Sequence, residues 1–284
     1  MSSRFDRLVA AAIAGASCLA MAQAVPSAEQ ERVHLVQYLQ KRFPGTGPQD
    51  WALGYDGLSA TSTTIVTAIP FNDEHATNSA DMLAIGKKLW EKKFSNGKGF
   101  AHCFPNAGRR VAVNYPQFDP KAKQVVTLEM ALDRCLALHG EKPIGSADVA
   151  RLAPLSAFLR SLAENQRLAV RVSTPAARER FDAGRTLYTR RIGDLNLACA
   201  TCHVLKAGNL YGERGLSAAI GQTVGWPRLQ PGGALRTLQQ QFQSCFRRTG
   251  AVPPELGSDE LNTLEYYLTF LSNGLPLRPL QVHR

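Results

Sequence analysis

The clearest chemistry in this chain sits in Cys199-Ala-Thr-Cys202-His203. The pattern C-x-x-C-H is the attachment signature of c-type haem. Two thiols with two residues between them can both add to the haem vinyl groups from one turn of chain. The adjacent imidazole then reaches the iron from the same side, and the axial ligands with their surroundings set the redox potential. A redox-active dithiol or half of a zinc site is the alternative. A zinc site needs a second ligand pair, and the sequence has no other C-x-x-C and no H-x-x-x-H.

The remaining cysteines pose the next question. Six are present, and Cys18 lies in an N-terminal leader, which leaves Cys103, Cys135, Cys199, Cys202 and Cys245. If haem takes two, the odd remainder implies one pair and one leftover thiol. Cys245 falls on an expected helix from Ala234 to Arg247, with Leu235, Leu238, Phe242 and Cys245 along one apolar face. It reads either as a buried structural thiol or as a functional one. A functional thiolate ligates the second axial position of iron, performs sulfur chemistry, or does both. Arg247 and Arg248 follow it and Arg236 precedes it, and nearby cations favour the thiolate. All four methionines (Met1, Met21, Met82 and Met130) lie in the first half, so His/Met ligation is not available within the unit that carries the motif.

These groups need elements to position them. Residues 1–24 read as a secretory signal: Arg4 and Arg7, an apolar run from Leu8 to Ala20, and an A-x-A site at Ala22-Gln23-Ala24. The run is too short to span a membrane, and no later segment does so. The expected product is therefore periplasmic, where disulfides persist. Residues 25–77 form an N-terminal extension. It opens with a helix marked by Val33, Val36 and Leu39, is broken by PGTGPQD, and includes a short strand or an extended arm at 61–70. A first unit, 78–175, holds expected helices at Asp81–Phe94, Val125–Leu138 and about 155–170. A second unit, 176–284, ends in an amphipathic helix, Asp259–Leu271, capped by Ser258.

The second unit echoes the first. Gly184-Arg-Thr-Leu187-Tyr188 matches Gly86-Lys-Lys-Leu89-Trp90. Trp226-Pro227 matches Tyr115-Pro116. Thr237-Leu238 stands before Cys245 at the spacing that separates Thr127-Leu128 from Cys135. We read a duplication: a mainly α chain of two cytochrome c-like domains. In this alignment Cys199, Cys202 and His203 fall opposite Phe100, Cys103 and Phe104. The first copy thus lacks one attachment thiol and the axial imidazole, and is expected to hold no haem. Cys103 and Cys135 are then free to pair, or to stand as two separate thiols.

The net charge of +10 over 284 residues suits anionic partners or substrates, or simply a soluble basic surface. No basic run with interleaved aromatics and no nucleic-acid motif is present, which argues against nucleic acid. No paired carboxylates or nucleophile–His motif point to general acid–base catalysis.

The paired units, CATCHV, GQTVGWPRL, TLQQQFQSC and the closing LEYYL with NGLPL, over about residues 80–280, resemble the SoxA family. These are the larger subunits of the SoxAX cytochromes of periplasmic thiosulfate oxidation. GKGFAHCFPN, NYPQFD and VVTLEMALDRC resemble the branch with one haem, in which a disulfide replaces the first. The resemblance implies one covalent haem c, His203 and Cys245 as axial ligands, a Cys103–Cys135 disulfide, and a persulfide on Cys245. It implies L-cysteine S-thiosulfotransferase activity: thiosulfate is coupled oxidatively to a cysteine of the carrier SoxYZ, and electrons leave through the small cytochrome SoxX. The family places an Arg four residues before the reactive Cys. Here Gln241 stands there, so anion binding falls to Arg247, Arg248, Arg236 or Arg228. The competing readings are an electron-transfer cytochrome without sulfur transfer and a thiosulfate dehydrogenase.

Overall fold

The computed structural model describes residues 26–58, 73–212 and 214–280. The leader and the 61–70 stretch lie outside them. The chain opens with helix α1 (Ala28–Arg42), followed by two short helices, α2 (Pro48–Trp51) and α3 (Tyr55–Leu58). Ser27 and Gln30 form a capping box that fixes the start of α1.

Helix α4 (Asp73–Glu91) begins inside the stretch read as extension. A hairpin of β1 (Gln117–Asp119) and β2 (Gln124–Val126) leads into α5 (Leu128–Leu138), and α6 (Val149–Ser161) closes this half. The second half repeats the order. Helix α7 (Pro175–Thr189) precedes the C-x-x-C-H turn and a small hairpin of β3 (Leu210–Tyr211) and β4 (Arg214–Gly215). A further hairpin, β5 (Arg228–Leu229) and β6 (Leu235–Arg236), leads into α8 (Leu238–Arg248), and α9 (Asp259–Leu271) ends the series.

The halves also share their tightest packing device. A β-carbon at Gly86 on α4 would lie 2.0 Å from the Pro154 carbonyl oxygen on α6. One at Gly184 on α7 would lie 2.1 Å from the Thr263 carbonyl oxygen on α9. Each glycine lets two helix backbones touch. One turn later an aromatic reaches across: Trp90 lies 6.2 Å from Phe158, and Tyr188 lies 5.6 Å from Tyr267, centroid to centroid.

Four helices differ in extent from the periodicity reading, among them α4, which runs Asp73–Glu91 rather than Asp81–Phe94. Helices α5 and α8 each start three to four residues late, because Val125 and Leu235 pair in hairpins instead. Thr127 and Thr237 then cap the helices, accepting from Met130 N–H and Gln240 N–H. Helix α6 spans Val149–Ser161 rather than 155–170; Asp148 caps it, and Pro154 stands inside it.

In the first half, Phe100 stacks on Trp90 at 5.6 Å and Phe104 lies 5.8 Å from it, both buried. These rings fill the place where the alignment puts an attachment thiol and an imidazole. A disulfide joins Cys103 to Cys135 on α5, with Cα atoms 5.8 Å apart. No described helix is long and apolar enough to cross a membrane.

Candidate haem and sulfur site

The C-x-x-C-H stretch follows α7 as an irregular turn, Thr201–Leu205 forming a short π-type helix. Its walls are α7, α8 and the loop through residues 215–230. Between them lies a cavity of ≈ 550 Å³ lined by Cys199, Cys202, His203 and Cys245. The helix period explains the far wall: Leu238, Gln241, Phe242, Cys245 and Arg248 lie on one side of α8 and all line the cavity. Arg247 does not. Two positions beyond Cys245 it points away into solvent, so of the two adjacent arginines only Arg248 reaches the site.

His203 is oriented from behind. Its Nδ1 lies 2.9 Å from the carbonyl oxygen of Ser217. A carbonyl only accepts, so Nδ1 carries the proton and Nε2 keeps its lone pair for a ligand. The same ring lies within reach of the Cys245 thiol. Burial pushes that thiol up, but His203 and Arg248 together outweigh it, and the net displacement is downward. Nη2 of Arg248 lies 3.1 Å from the sulfur. The motif thiols go the other way: Cys199 is pushed up to about 12, by burial and then by Cys245, and Cys202 is also raised.

The cavity fits an anionic macrocycle. Among the described residues no Asp or Glu lines it, while Arg228, Arg236 and Arg248 do. Arg228 stacks on Trp226 at 4.1 Å, and its buried Nε has no partner among the described residues. Burial without a carboxylate pulls its pKa down to about 9. Arg236 stands directly opposite Arg228 across the β5–β6 ladder. Like charges in that register destabilise a hairpin, and a haem propionate beside the unpartnered Arg228 would relieve that repulsion. The buried Tyr188 hydroxyl, on the α7 wall of the cavity, also has no partner among the described residues. Cys199, Cys202, His203 and Cys245 therefore fit as the residues that would hold haem c.

One wall comes from the N-terminal extension, which sequence reasoning left without a role. Trp51, Ala52, Gly54 and Tyr55 line the cavity. Arg42 donates to the carbonyl of Val204 at 2.8 Å, just past the motif. Three glycines make room: a β-carbon at Gly221 would meet Ala52 Cα at 2.4 Å, one at Gly215 would meet Tyr55 Cγ at 2.0 Å, and one at Gly208 would meet Phe43 at 2.8 Å. Those glycines are the only trace the sequence carries of this wall.

Residues 85–168 match the family model for the SoxA/TsdA cytochrome c domain. The L-cysteine S-thiosulfotransferase subunit SoxA of Chlorobaculum tepidum is 34% identical over 241 residues, covering 84% of this chain and 82% of the relative. The subunit of the same name from Allochromatium vinosum is 31% identical over 252 residues, covering 88% of both. A chain in the crystal structure of SoxXA from P. pantotrophus shares the fold, with a TM-score of 0.64 over 72% of this chain and 79% of that one, at 24% identity. The chain belongs to the SoxA family of L-cysteine S-thiosulfotransferase subunits.

Proposed function

We propose that this chain is a periplasmic cytochrome subunit that couples thiosulfate oxidatively to a cysteine of the carrier SoxYZ. Cys245, as a persulfide, is the covalent site. In this reading residues 1–24 are a cleaved signal, 25–77 an extension, 78–175 a cytochrome c-like unit without haem, and 176–284 the unit with one covalent haem c. Cys199 and Cys202 would attach that haem, and His203 and Cys245 would hold its iron. When bound, the haem would supply an outlet through which the two electrons leave one at a time toward the partner cytochrome SoxX.

A carrier thiol and thiosulfate form one S–S bond, a proton leaves the thiol, and two electrons depart. Thiosulfate first joins the persulfide of Cys245 with loss of those electrons. Carrier thiolate then attacks the outer sulfane sulfur, takes the S–SO3 group, and leaves the persulfide behind. Arg248 steadies negative charge at the sulfur, and the described lining, which holds arginines and no Asp or Glu, admits a dianion without repulsion.

The observation that carries this reading is one cavity holding both the C-x-x-C-H motif and Cys245, lined among the described residues by three arginines and no carboxylate. The test is turnover of the haem-loaded chain with partner, carrier and thiosulfate, read by the mass of the carrier. A carrier cysteine that gains S–SO3 supports it. The second reading, electron transfer alone, draws on Gln241, an uncharged side chain 3.8 Å from the Cys245 sulfur. An unmodified carrier, with electron exchange to the partner intact, would favour it.

A further inference from the structure

Two donors meet the Cys245 sulfur from different directions. Arg248 reaches it directly. Gln241, one turn back on α8, brings Nε2 to 3.8 Å. The orientation of that amide is settled by its other neighbour: Nη1 of Arg236 on β6 lies 3.2 Å from Oε1 of Gln241. A guanidinium only donates, so the atom facing it is the oxygen, and the NH2 group is left facing the sulfur.

We propose that Arg236 is a positioning residue for the sulfur site: it locks the Gln241 amide with N–H toward Cys245 and passes positive potential through it to an anion held there. The inference rests on the reading of Cys245 as the site of thiosulfate chemistry. The physical basis is short. Linked hydrogen bonds polarise one another, so an amide whose oxygen is drawn by a guanidinium is a stronger donor at its nitrogen. An amide with no such partner can turn, and its carbonyl oxygen would then repel the anion. The base of Arg236 is fixed, because β6 pairs with β5 through Arg228↔Arg236 and Leu229↔Leu235. Among the described residues no Asp or Glu lines the cavity to draw its charge away.

The test uses the haem-loaded full chain with its partner cytochrome and carrier. R236Q is expected to raise the thiosulfate KM by about tenfold with little change in kcat, the order a charge-assisted hydrogen bond supplies. R236K keeps the charge but loses the planar fork, and falls between. Q241E keeps a tie to Arg236 while presenting a carboxylate to the sulfur, so folding is retained and thiosulfate binding is lost. The double variant R236Q with Q241R places the charge directly beside Cys245, and is expected to return KM to within about threefold of wild type. That rescue separates this role from anchoring a haem propionate, which Q241R would not restore. An unchanged KM in R236Q, or no rescue by Q241R, overturns the proposal. If the wild type itself does not turn over, the sulfur-transfer reading falls instead. The low-spin ferric resonance signal then decides the relay: altered g values in R236Q support it, and unchanged g values refute it.

Discussion

Arg248 holds Nη2 3.1 Å from the sulfur of Cys245, one turn further along the same helix. It is one of the groups that lower a thiol which burial alone would raise. Arg248→Ala is therefore expected to raise the Cys245 pKa and cut its thiolate share at neutral pH. Alkylation of the haem-free protein at Cys245 should slow by roughly three- to tenfold, the modest value of a charged donor exposed to water. Arg247→Ala, on the outer side of α8, should leave the rate unchanged.

The disulfide gives a second prediction. Cys103 and Cys135 are 32 residues apart in sequence. Closing a loop of that length stabilises by about 3–4 kcal/mol in the chain-entropy model. Replacing both with serine should lower unfolding stability by that order in denaturant titration, while the absorption of haem attached at Cys199 and Cys202 is kept.

The close helix crossings give a third. Gly86→Ala and Gly184→Ala each drive a methyl into a backbone carbonyl of the facing helix, at 2.0 and 2.1 Å. Backbone cannot swing aside as a side chain can. Each should cost about 1–3 kcal/mol or more in chemical unfolding. Gly184→Ala should also disturb the haem spectrum, because α7 walls the cavity through Tyr188; Gly86→Ala should not.

A fourth concerns pH. Glu265 on α9 is buried beside Glu129 on α5, with Arg160 on α6 3.8 Å away and Gln239 on α8 donating to it at 3.2 Å. Burial first, then Glu129, raises its pKa to about 8. The folded chain therefore holds a proton there that the unfolded chain releases near pH 4. Stability contributed by that proton is full below the unfolded value and is lost as pH rises toward about 8. Glu265→Gln should flatten this decline and gain on the order of 2 kcal/mol at pH 9 relative to wild type, with the gain vanishing near pH 4.

Local spacing made much of this legible. Cys199, Cys202 and His203 are adjacent in sequence, and Cys245 stands out because the other half places Cys135 at the same distance from a Thr-Leu pair. Helix α9 was readable to both ends, since Ser258 caps it and its leucines keep one face. The starts of α5 and α8 were not: Val125 and Leu235 fit the helical period, yet hairpin pairing claims them. Thr237 with Gln240 is a capping box that could have marked the later start. The period of α8 also separates Arg248 from Arg247, a distinction that adjacency hides. The wall built by Trp51, Ala52 and Tyr55 could not be read at all. It depends on packing between segments more than 150 residues apart, and only Gly208, Gly215 and Gly221 hint at it.

The central claim is that Cys245 carries sulfur beside an attached haem. Peptide-resolved mass spectrometry of the full chain, matured in a host that attaches c-type haem and then exposed to thiosulfate, tests it most directly. Haem on the Cys199–Cys202 peptide, an intact Cys103–Cys135 link and additional sulfur on Cys245 are expected. Haem in place with Cys245 unmodified before and after thiosulfate would contradict it.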